Sequence, residues 1–505
     1  MAVDLMEVDS PAESGRNDVK FAEEKNVNEV IQVLQEVART SVTLDPYFVW
    51  KGLKELNGMR ARCLNEETLL ALINLLYPDS SAFKAPLLKA INREKKCTVP
   101  NADETREGYP ASFYEVVEDK SIEVAAEVNS FVHLLVTRYL LDNKKLEALN
   151  SFNKKVVIPK ILALYNQRTL DLINAKLWFH VVLCDEARGE RANLETRSSM
   201  IKFLKVASLK HNSETKAMLI SLLLRSFLAT GEIEAAADFM AKVEFPNSAD
   251  VSSSLEARYY FYMSKINAIQ LDYSTANEYI IAAIRKAPNT ANSLGFLQQA
   301  NKLHCVIELL MGDIPDLSFF HQAGMQRSLE PYYDLSKAVK LGDLKKFTSA
   351  IAKYKPQLIK DGNYQLYVRL RSNVIKTGIR IISLTYKKIS LRDICLKLRL
   401  DSEQTGEYMV SRAIRDGVIE AKINHEQGYI ETSELLNVYD TDEPQAAFDE
   451  RITFVNQLHD ESLLAMRYPE DNKGKNNAND EDEFLDGELL EDLSDFSDID
   501  GLGFL

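Results

Sequence analysis

The chain has 505 residues, 46% of them hydrophobic, with only 19 glycines and 14 prolines. This length is too great for one ordinary core, and the scarcity of chain breakers favours long helices. The net charge of −14 argues against a general binder of nucleic-acid phosphates, and five widely separated cysteines without a CxxC motif argue against a zinc knuckle or a disulfide framework.

The N-terminal segment, residues 1–25, is acidic and has few large apolar side chains, a composition that predicts disorder. It has no apolar core of the kind found in signal peptides. The most apolar run, residues 217–230, is too short and too interrupted to span a bilayer. Together with cysteines that form no disulfide pattern, these features predict a cytoplasmic and nuclear protein without a membrane partner.

A series of helical segments follows, beginning with the apolar spacing of Val30, Leu34 and Val37. Turn signals then recur at intervals of 46, 42, 41, 40 and 30 residues, at Asn143, Gly189, Gly231, Asp272, Gly312 and Gly342. This spacing predicts antiparallel helix pairs stacked as a solenoid over residues 26–250 and beyond. An irregular helical bundle is the alternative, because no strict consensus repeats.

Residues 386–435 predict a winged helix. Ser390 caps a first helix, Leu391 to Arg399, and Asp401 is the predicted cap of a second helix that ends before Gly417. Two strands joined by a glycine turn then form the wing. The residues predicted to pack this domain are Leu391, Ile394, Leu398, Ile419 and Ile423.

The charge of this region decides between DNA reading and protein binding. The second helix has a net charge of −1, and its N-terminal half is acidic, so phosphates would repel it. Residues 369–399 nevertheless contain nine Lys or Arg against one Asp. The basic surface of this region consists of Lys387, Lys388, Arg392, Lys397 and Arg399. An acidic protein neighbour is the favoured partner for it, with nucleic acid as the alternative.

A long helix is predicted over residues 440–468, beyond the last domain. Its apolar residues step by 4, 3 and 3 to form a stripe that predicts a helix-bundle partner. The stripe consists of Phe448, Ile452, Val455 and Leu458. The alternative is a helix folded back onto its own solenoid. Residues 470–505 then carry a net charge of −11 and predict a disordered acidic tail or a short motif that docks in a basic-rimmed groove.

The sequence contains no recognisable catalytic constellation. Neither a GxxxxGK[ST] loop nor HExxH nor GxSxG occurs, and the seven histidines are never closer than 17 residues. Adjacent His304 and Cys305 would point about 100° apart on a helix, so a dyad is not expected there. His459, Asp460 and Glu461 are interpreted as polar surface residues beside the apolar stripe of the last helix, and not as a metal site. We therefore predict no enzyme activity, no metal site and no cofactor.

A helical array that runs directly into a winged helix resembles the PCI domain of the proteasome lid, the COP9 signalosome and a translation initiation complex. Three passages resemble more specifically the non-ATPase regulatory subunit 3 family of the 26S proteasome: RSLEPYYDLSKAVKLGDL, LTYKKISLRDICLKLRLDS and EPQAAFDERITFVNQLHDESLLAMRYPE. The resemblance covers residues 25–470. It implies a mostly α fold, a TPR-like helical-pair solenoid followed by a PCI domain over 251–435 and a long C-terminal helix.

The resemblance also implies a function. The implied function is that of a non-catalytic scaffold subunit of the proteasome regulatory-particle lid. Such a subunit acts in ubiquitin-dependent protein degradation through complex assembly. The implied partners are other PCI-type and deubiquitinase lid subunits, a small acidic disordered lid subunit that we expect on the basic surface, and indirectly the ATPase ring. The alternative is a PCI subunit of the COP9 signalosome, translation initiation or mRNA export with nucleic-acid contacts.

Overall fold

The computed structural model describes residues 11–78, 81–91, 114–116, 122–165, 167–190, 193–247, 250–322, 324–400, 402–433, 439 and 442–466. The predicted acidic tail, residues 470–505, lies outside this part of the chain, as does the predicted helix cap Asp401. By contact, the chain divides into two compact units, one mainly of residues up to 266 and the other mainly of residues from 294 onward.

The first unit is built from helix pairs and one small hairpin. Its helices are α1 (Pro11–Thr43), α2 (Tyr47–Cys63), α3 (Glu66–Leu76), α4 (Lys84–Ile91), α5 (Ala126–Asp142), α6 (Leu146–Phe152), α7 (Asp171–Ala187), α8 (Leu194–Lys210), α9 (Ser213–Thr230) and α10 (Ile233–Lys242). The antiparallel hairpin consists of β1 (Tyr114–Val116) and β2 (Ile122–Val124). Helices α11 (Ser253–Ile269) and α12 (Tyr273–Lys286) are divided between the two units.

The second unit contains further helices and a three-stranded sheet. Its helices are α13 (Leu294–Met311), α14 (Leu317–Phe320), α15 (Gln326–Leu341), α16 (Leu344–Lys360), α17 (Tyr364–Thr385), α18 (Leu391–Leu398), α19 (Glu403–Arg415) and α20 (Glu443–Ala465). Its strands are β3 (Lys388–Ser390), β4 (Ala421–Asn424) and β5 (Tyr429–Thr432).

The helix pairs divide into inner and outer helices. Helices α5, α7 and α9 pack side by side and are buried along most of their length, as helices that are apolar all round must be. Helix α10 packs against α9 and buries only Ala236. Each predicted turn signal has a left-handed residue at it or directly beside it, namely Lys144, Gly189, Gly231, Leu271, Gly312 and Gly342. The predicted fold, a helical-repeat array followed by a winged helix and a long C-terminal helix, is confirmed.

One buried and two half-buried carboxylates connect successive inner helices of the first unit. Glu127 of α5 accepts a 2.7 Å hydrogen bond from the Thr169 hydroxyl, just before α7. Asp171 of α7 accepts from the backbone N–H groups of Glu214 and Thr215, at the start of α9. Glu214 in turn accepts from the backbone N–H of Ser252, directly before α11, at 2.7 Å. Each carboxylate thus binds groups at the start of the next inner helix, and in two of the three cases it satisfies N–H groups that lack an intrahelical partner. We name these three residues, Glu127, Asp171 and Glu214, the carboxylate ladder.

One local feature differs from the sequence-based expectation, and two others were not predicted. Helix α1 begins at Pro11 and so includes residues that the composition predicted to be disordered. No proline follows Pro11 within the helix, so a helix anchored by the buried half of α1 can extend backward. Residues 153–162 form a wide π-type turn around Pro159, which has no N–H to complete regular α-helical bonding. The strands of the first hairpin have three residues each, too few to show an alternating pattern.

The winged helix has the order of elements that the sequence predicted, with one additional strand. Its antiparallel sheet has the order β3-β5-β4, and Ile389, Ile430 and Ile423 face one another across it. The Ser390 hydroxyl caps α18 by accepting from the Asp393 N–H. Helix α19 is capped by Ser402, which accepts from the Thr405 N–H, one residue after the expected position. Strand β3 is a three-residue strand that periodicity alone does not reveal.

Candidate partner-binding surfaces

The winged helix shares one core with the helix that precedes it. The predicted packing residues Leu391, Ile394, Leu398 and Ile419 are buried, and Ile423 is half-buried against them. The same cluster includes three side chains of α17, which are Ile375, Ile379 and Ile382. Helix α17 therefore packs both against α13, α15 and α16 of the second unit and against the winged helix.

Two glycines allow this close packing. A Cβ atom on Gly342, at the turn between α15 and α16, would lie 2.6 Å from the Gly378 Cα on α17. A Cβ on Gly378 would lie 2.6 Å from Leu398 Cδ2 on α18. The two backbones thus approach more closely than any other residue type permits. The sequence interpretation used Gly342 only as a turn signal. Gly378, inside a helix, carried an additional signal because glycine is unfavourable there.

The second helix of the domain, α19, presents a surface unsuited to a DNA groove. Glu403 lies exposed in its first turn, and Glu407 lies 2.8 Å from His425 in the wing turn. At its other end, Asp416 pairs with Lys376 of α17 at 2.7 Å. This hydrogen bond to Lys376 holds the pKa of Asp416 below its usual range. The end that would enter a groove is therefore acidic, and phosphates would be repelled there.

All five residues predicted to form the basic surface, Lys387, Lys388, Arg392, Lys397 and Arg399, are exposed. Two of them lie against aromatic rings. The Lys388 Nζ is 3.7 Å from the centroid of the Tyr429 ring, and the Lys397 Nζ is 4.2 Å from that of Tyr386. Two other basic residues of the region 369–399 are also engaged. Arg369 donates a hydrogen bond to the Ala268 carbonyl oxygen, and Lys376 pairs with Asp416. The surface is therefore basic, and some of its cations already contact aromatic rings of the chain. Such a surface suits an acidic protein partner.

Helix α20 is a long helix that buries no side chain in the described structure. The four residues of the predicted stripe are between 42% and 62% exposed, so the described part of the chain leaves the stripe open to solvent. Leu463 and Met466 are also exposed. At 100° per residue they lie on the same face and continue the stripe, which the sequence interpretation ended too early. An exposed apolar stripe of this length, on a helix that buries no side chain, indicates a partner-binding surface.

The candidate catalytic and metal-binding residues do not have the geometry or the protonation states that these roles require. Burial lowers the pKa of His304 to about 4 and raises the pKa of Cys305 to about 12. A thiolate–imidazolium pair therefore does not form at neutral pH. The Cys305 thiol lies 3.5 Å from the Ser336 hydroxyl instead. His459 is exposed and lies 3.3 Å from Asp460. Among the described residues, no group of His, Cys, Asp and Glu has the geometry of a metal site. In the same part of the chain, no helix is both long and apolar enough to cross a membrane.

Comparison with known families agrees with this architecture. A family model described as PSMD3-like, N-terminal TPR repeats, matches residues 22–336. A PCI domain model matches residues 351–434, and a model of the C-terminal region of a proteasome regulatory subunit, Rpn3, matches residues 437–501. The PCI match begins within α16, later than the predicted residue 251, and covers the rest of α16, α17 and the winged helix. The predicted domain boundaries stay predictions.

Known relatives are similar over nearly the whole chain. The 26S proteasome regulatory subunit RPN3 of Saccharomyces cerevisiae is 64% identical over 488 residues, which cover 94% of this chain and 92% of the relative. A probable rpn3 subunit of Schizosaccharomyces pombe is 39% identical, with 92% of both chains covered. A probable 26S proteasome non-ATPase regulatory subunit 3 of Drosophila melanogaster is 35% identical, with 93% of this chain and 91% of the relative covered.

A helical-repeat array that shares its core with a winged helix defines this molecule as a PCI-domain protein. Within that class, the extent of the similarity identifies its family. The chain belongs to the non-ATPase regulatory subunit 3, or RPN3, family of the 26S proteasome.

Proposed function

We propose that this chain is a non-catalytic scaffold subunit of the lid of the 26S proteasome regulatory particle, and that it acts in ubiquitin-dependent protein degradation through complex assembly. The observation that carries the proposal is helix α20, whose apolar stripe is exposed in the isolated chain. A chain of this family with such a stripe needs partner helices to cover it. The family's named members supply the complex in which those helices would be found.

The partners follow from the exposed surfaces. Other PCI-type and deubiquitinase lid subunits would supply the helices that cover α20, and neighbouring PCI domains would contact the winged helix. The basic surface suits the small acidic lid subunit, and the ATPase ring would be reached only indirectly. We further propose a cytoplasmic and nuclear location. A non-catalytic role is supported by the neutral states of His304 and Cys305 at physiological pH.

The sharpest test places charges on the stripe of α20. The double variant Val455→Asp/Leu458→Asp changes only exposed side chains, so the chain should fold as before. Buried in a helix bundle, however, the two unpaired carboxylates would be costly, and we expect incorporation into the lid to fall by about tenfold or more. The measurement is affinity purification of the tagged chain from its own cells, with quantitative mass spectrometry of lid and ATPase subunits.

The matched control adds the same charges to the opposite face of the helix. Thr453 and Gln457 are exposed and polar, and they lie away from the stripe. The variant Thr453→Asp/Gln457→Asp should enter the complex as the wild type does. Equal incorporation of both double variants would contradict the role of the stripe, and absence of lid subunits from the wild-type sample would contradict the proposed complex itself.

A further inference from the structure

An open groove lies between α15 and α16, outside the basic surface of the winged helix and the stripe of α20. It has a volume of about 400 Å³, and its apolar lining consists of Ala338, Leu341 and Ala350. Leu341 is 50% exposed, so this apolar lining is open to solvent. Small side chains next to one exposed leucine leave room for an apolar side chain from elsewhere.

The rim of this groove is strongly basic. Lys337, Lys346 and Lys353 line it, and all three are exposed. Residues 334–360 contain seven lysines and two aspartates, which gives a net charge of +5. Each aspartate binds another group more closely than it binds a lysine. Asp334 accepts a 2.8 Å hydrogen bond from the Tyr354 hydroxyl, and Asp343 caps α16.

Two lysines of the rim make only weak ion pairs with carboxylates of the chain, and the Lys353 Nζ also donates a 2.7 Å hydrogen bond to the Tyr354 hydroxyl. The Lys346 and Lys353 Nζ atoms lie 3.8 and 3.9 Å from the carboxylates of Asp343 and Asp334, at the limit of an ion pair. Both lysine side chains remain about two-thirds exposed, at 65% and 66%. Exposed ion pairs of this kind contribute little free energy, so both lysines can exchange these carboxylates for others, and a carboxylate can bind Lys353 while its hydrogen bond to Tyr354 remains.

A groove beside the wing offers a less basic lining. It is formed by α17 and the start of the wing and contains Arg380, Lys387 and Glu420, a net charge of +1. The groove between α15 and α16 contains three lysines and Asp334, a net charge of +2. For a segment with a high density of carboxylates, the groove between α15 and α16 is therefore the more favourable of the two.

The chain itself contains a segment with the complementary pattern. Residues 480–505 carry eleven acidic residues and no Lys or Arg. Leucines and phenylalanines alternate with the acids in the stretch LDGELLEDLSDF, residues 485–496. Apolar side chains flanked by carboxylates are what an apolar groove with a lysine rim recognises.

The length of chain before this segment allows it to return to the second unit. The linker of residues 467–479 spans about 45 Å when extended at about 3.4 Å per residue. Helix α20 is only about 35 Å long at 1.5 Å per residue, so the linker can run back along it towards the winged helix. A segment tethered in this way has an effective concentration in the millimolar range, at which weak contacts are enough for binding.

We propose that the acidic segment 480–505 of this chain docks in the groove between α15 and α16, with its leucines on Leu341 and its carboxylates on Lys337, Lys346 and Lys353. In the free chain the groove is then filled and its lysines are neutralised by the chain itself. This inference concerns the isolated chain and does not depend on the complex to which the chain belongs.

Zero-length carbodiimide crosslinking of the purified full-length chain tests the proposal, because it joins a lysine amine to a carboxylate only where the two are in contact. Crosslinks from the acidic segment should be several-fold enriched at Lys337, Lys346 and Lys353 over Lys387, which is also exposed and lines the groove beside the wing. They should be lost at about 1 M salt, where charge interactions are screened within about 3 Å. A mixture of ¹⁵N-labelled and unlabelled chains shows whether each crosslink joins one chain or two.

Two further variants separate docking from general charge attraction. Leu489→Ser/Leu490→Ser/Leu493→Ser keeps every carboxylate of the segment, and Leu341→Ser keeps every lysine of the groove; each should abolish the enrichment. The control Leu396→Ser, at a position 69% exposed on α18, should leave it unchanged. Crosslinks that spread over all exposed lysines, that favour Lys387, that persist in both leucine variants, or that join only separate chains would overturn the proposal.

Discussion

At the scale of single residues, Gly342 shows how one position joins two parts of the molecule. It has a φ of 63° and lies where any Cβ would meet the backbone of Gly378. Conformation and space therefore both require glycine there. Gly231 occupies the equivalent turn after α9 with a φ of 79°, but nothing lies within 4 Å of its Cβ position. Comparison of Gly231 with Gly342 therefore separates the effect of backbone strain from that of steric contact.

We expect Gly231→Ala to cost about 1 kcal/mol, the strain of a left-handed alanine. Gly342→Ala should cost about 1–3 kcal/mol more, because the backbones of the α15–α16 turn and α17 must move apart. Hydrogen exchange followed by mass spectrometry would locate the difference. Exchange in α18 and α19 should accelerate in the Gly342 variant and remain at the wild-type rate in the Gly231 variant. Equal exchange in both variants would show that the glycine contact does not hold the winged helix in place.

At the scale of secondary-structure elements, the carboxylate ladder makes the array sensitive to pH. Burial, with a smaller contribution from nearby Asp171, raises the pKa of Glu214 from 4.5 to about 7, against the opposing effects of Ser252 and Lys176. The folded chain therefore binds this proton more tightly than the unfolded chain does. The resulting stabilisation is complete below about pH 4.5 and is lost as the pH rises through about 7.

Glu214→Gln removes this titration but retains an oxygen that can accept from the Ser252 N–H. We expect the melting temperature of the wild type to fall relative to that of the variant as the pH rises from 4.5 to 7 and to level off above it. Glu234→Gln is the matched control, since Glu234 is also the second residue of its helix but is exposed. A constant difference between Glu214→Gln and wild type across this range would show that Glu214 does not titrate as its burial indicates.

At the scale of the whole molecule, the uneven distribution of charge decides the class of partner. The net charge is −14, of which −11 lies in residues 470–505, so the remainder is nearly neutral at about −3. The basic surface and the lysine-rimmed groove are thus local features on a chain without overall attraction for polyanions. Protein contacts of complementary charge fit this distribution better than nucleic acid does.

For the same reason, the full-length chain should not bind single-stranded RNA with measurable affinity at about 50 mM salt, where phosphate contacts are strong. Fluorescence anisotropy of a labelled oligonucleotide measures this directly. A basic RNA-binding domain of similar size serves as the positive control. Tight binding that weakens steeply with salt would instead favour a PCI subunit with nucleic-acid contacts.

Much of the fold could be predicted from the sequence, because the signals concerned are local. The turn positions, the Ser390 cap, the order of the winged-helix elements and the stripe on α20 all depend on residues within a few turns of one another. The family resemblance rests on contiguous passages for the same reason. By itself, the sequence determined an α-helical array, a winged helix with an acidic second helix, and a terminal helix with an apolar stripe.

Other features depend on residues distant in sequence, and only the tertiary structure decided them. The contact between Gly342 and Gly378, the carboxylate ladder across successive repeats and the groove between α15 and α16 each combine residues from different helices. The three-residue strand β3 exists because β5 pairs with it, whatever its own propensity. Periodicity shows which face of a helix is apolar, but it does not show which other helix packs against that face. The glycine contact, the carboxylate ladder and the groove all arise from the packing of one helix against another.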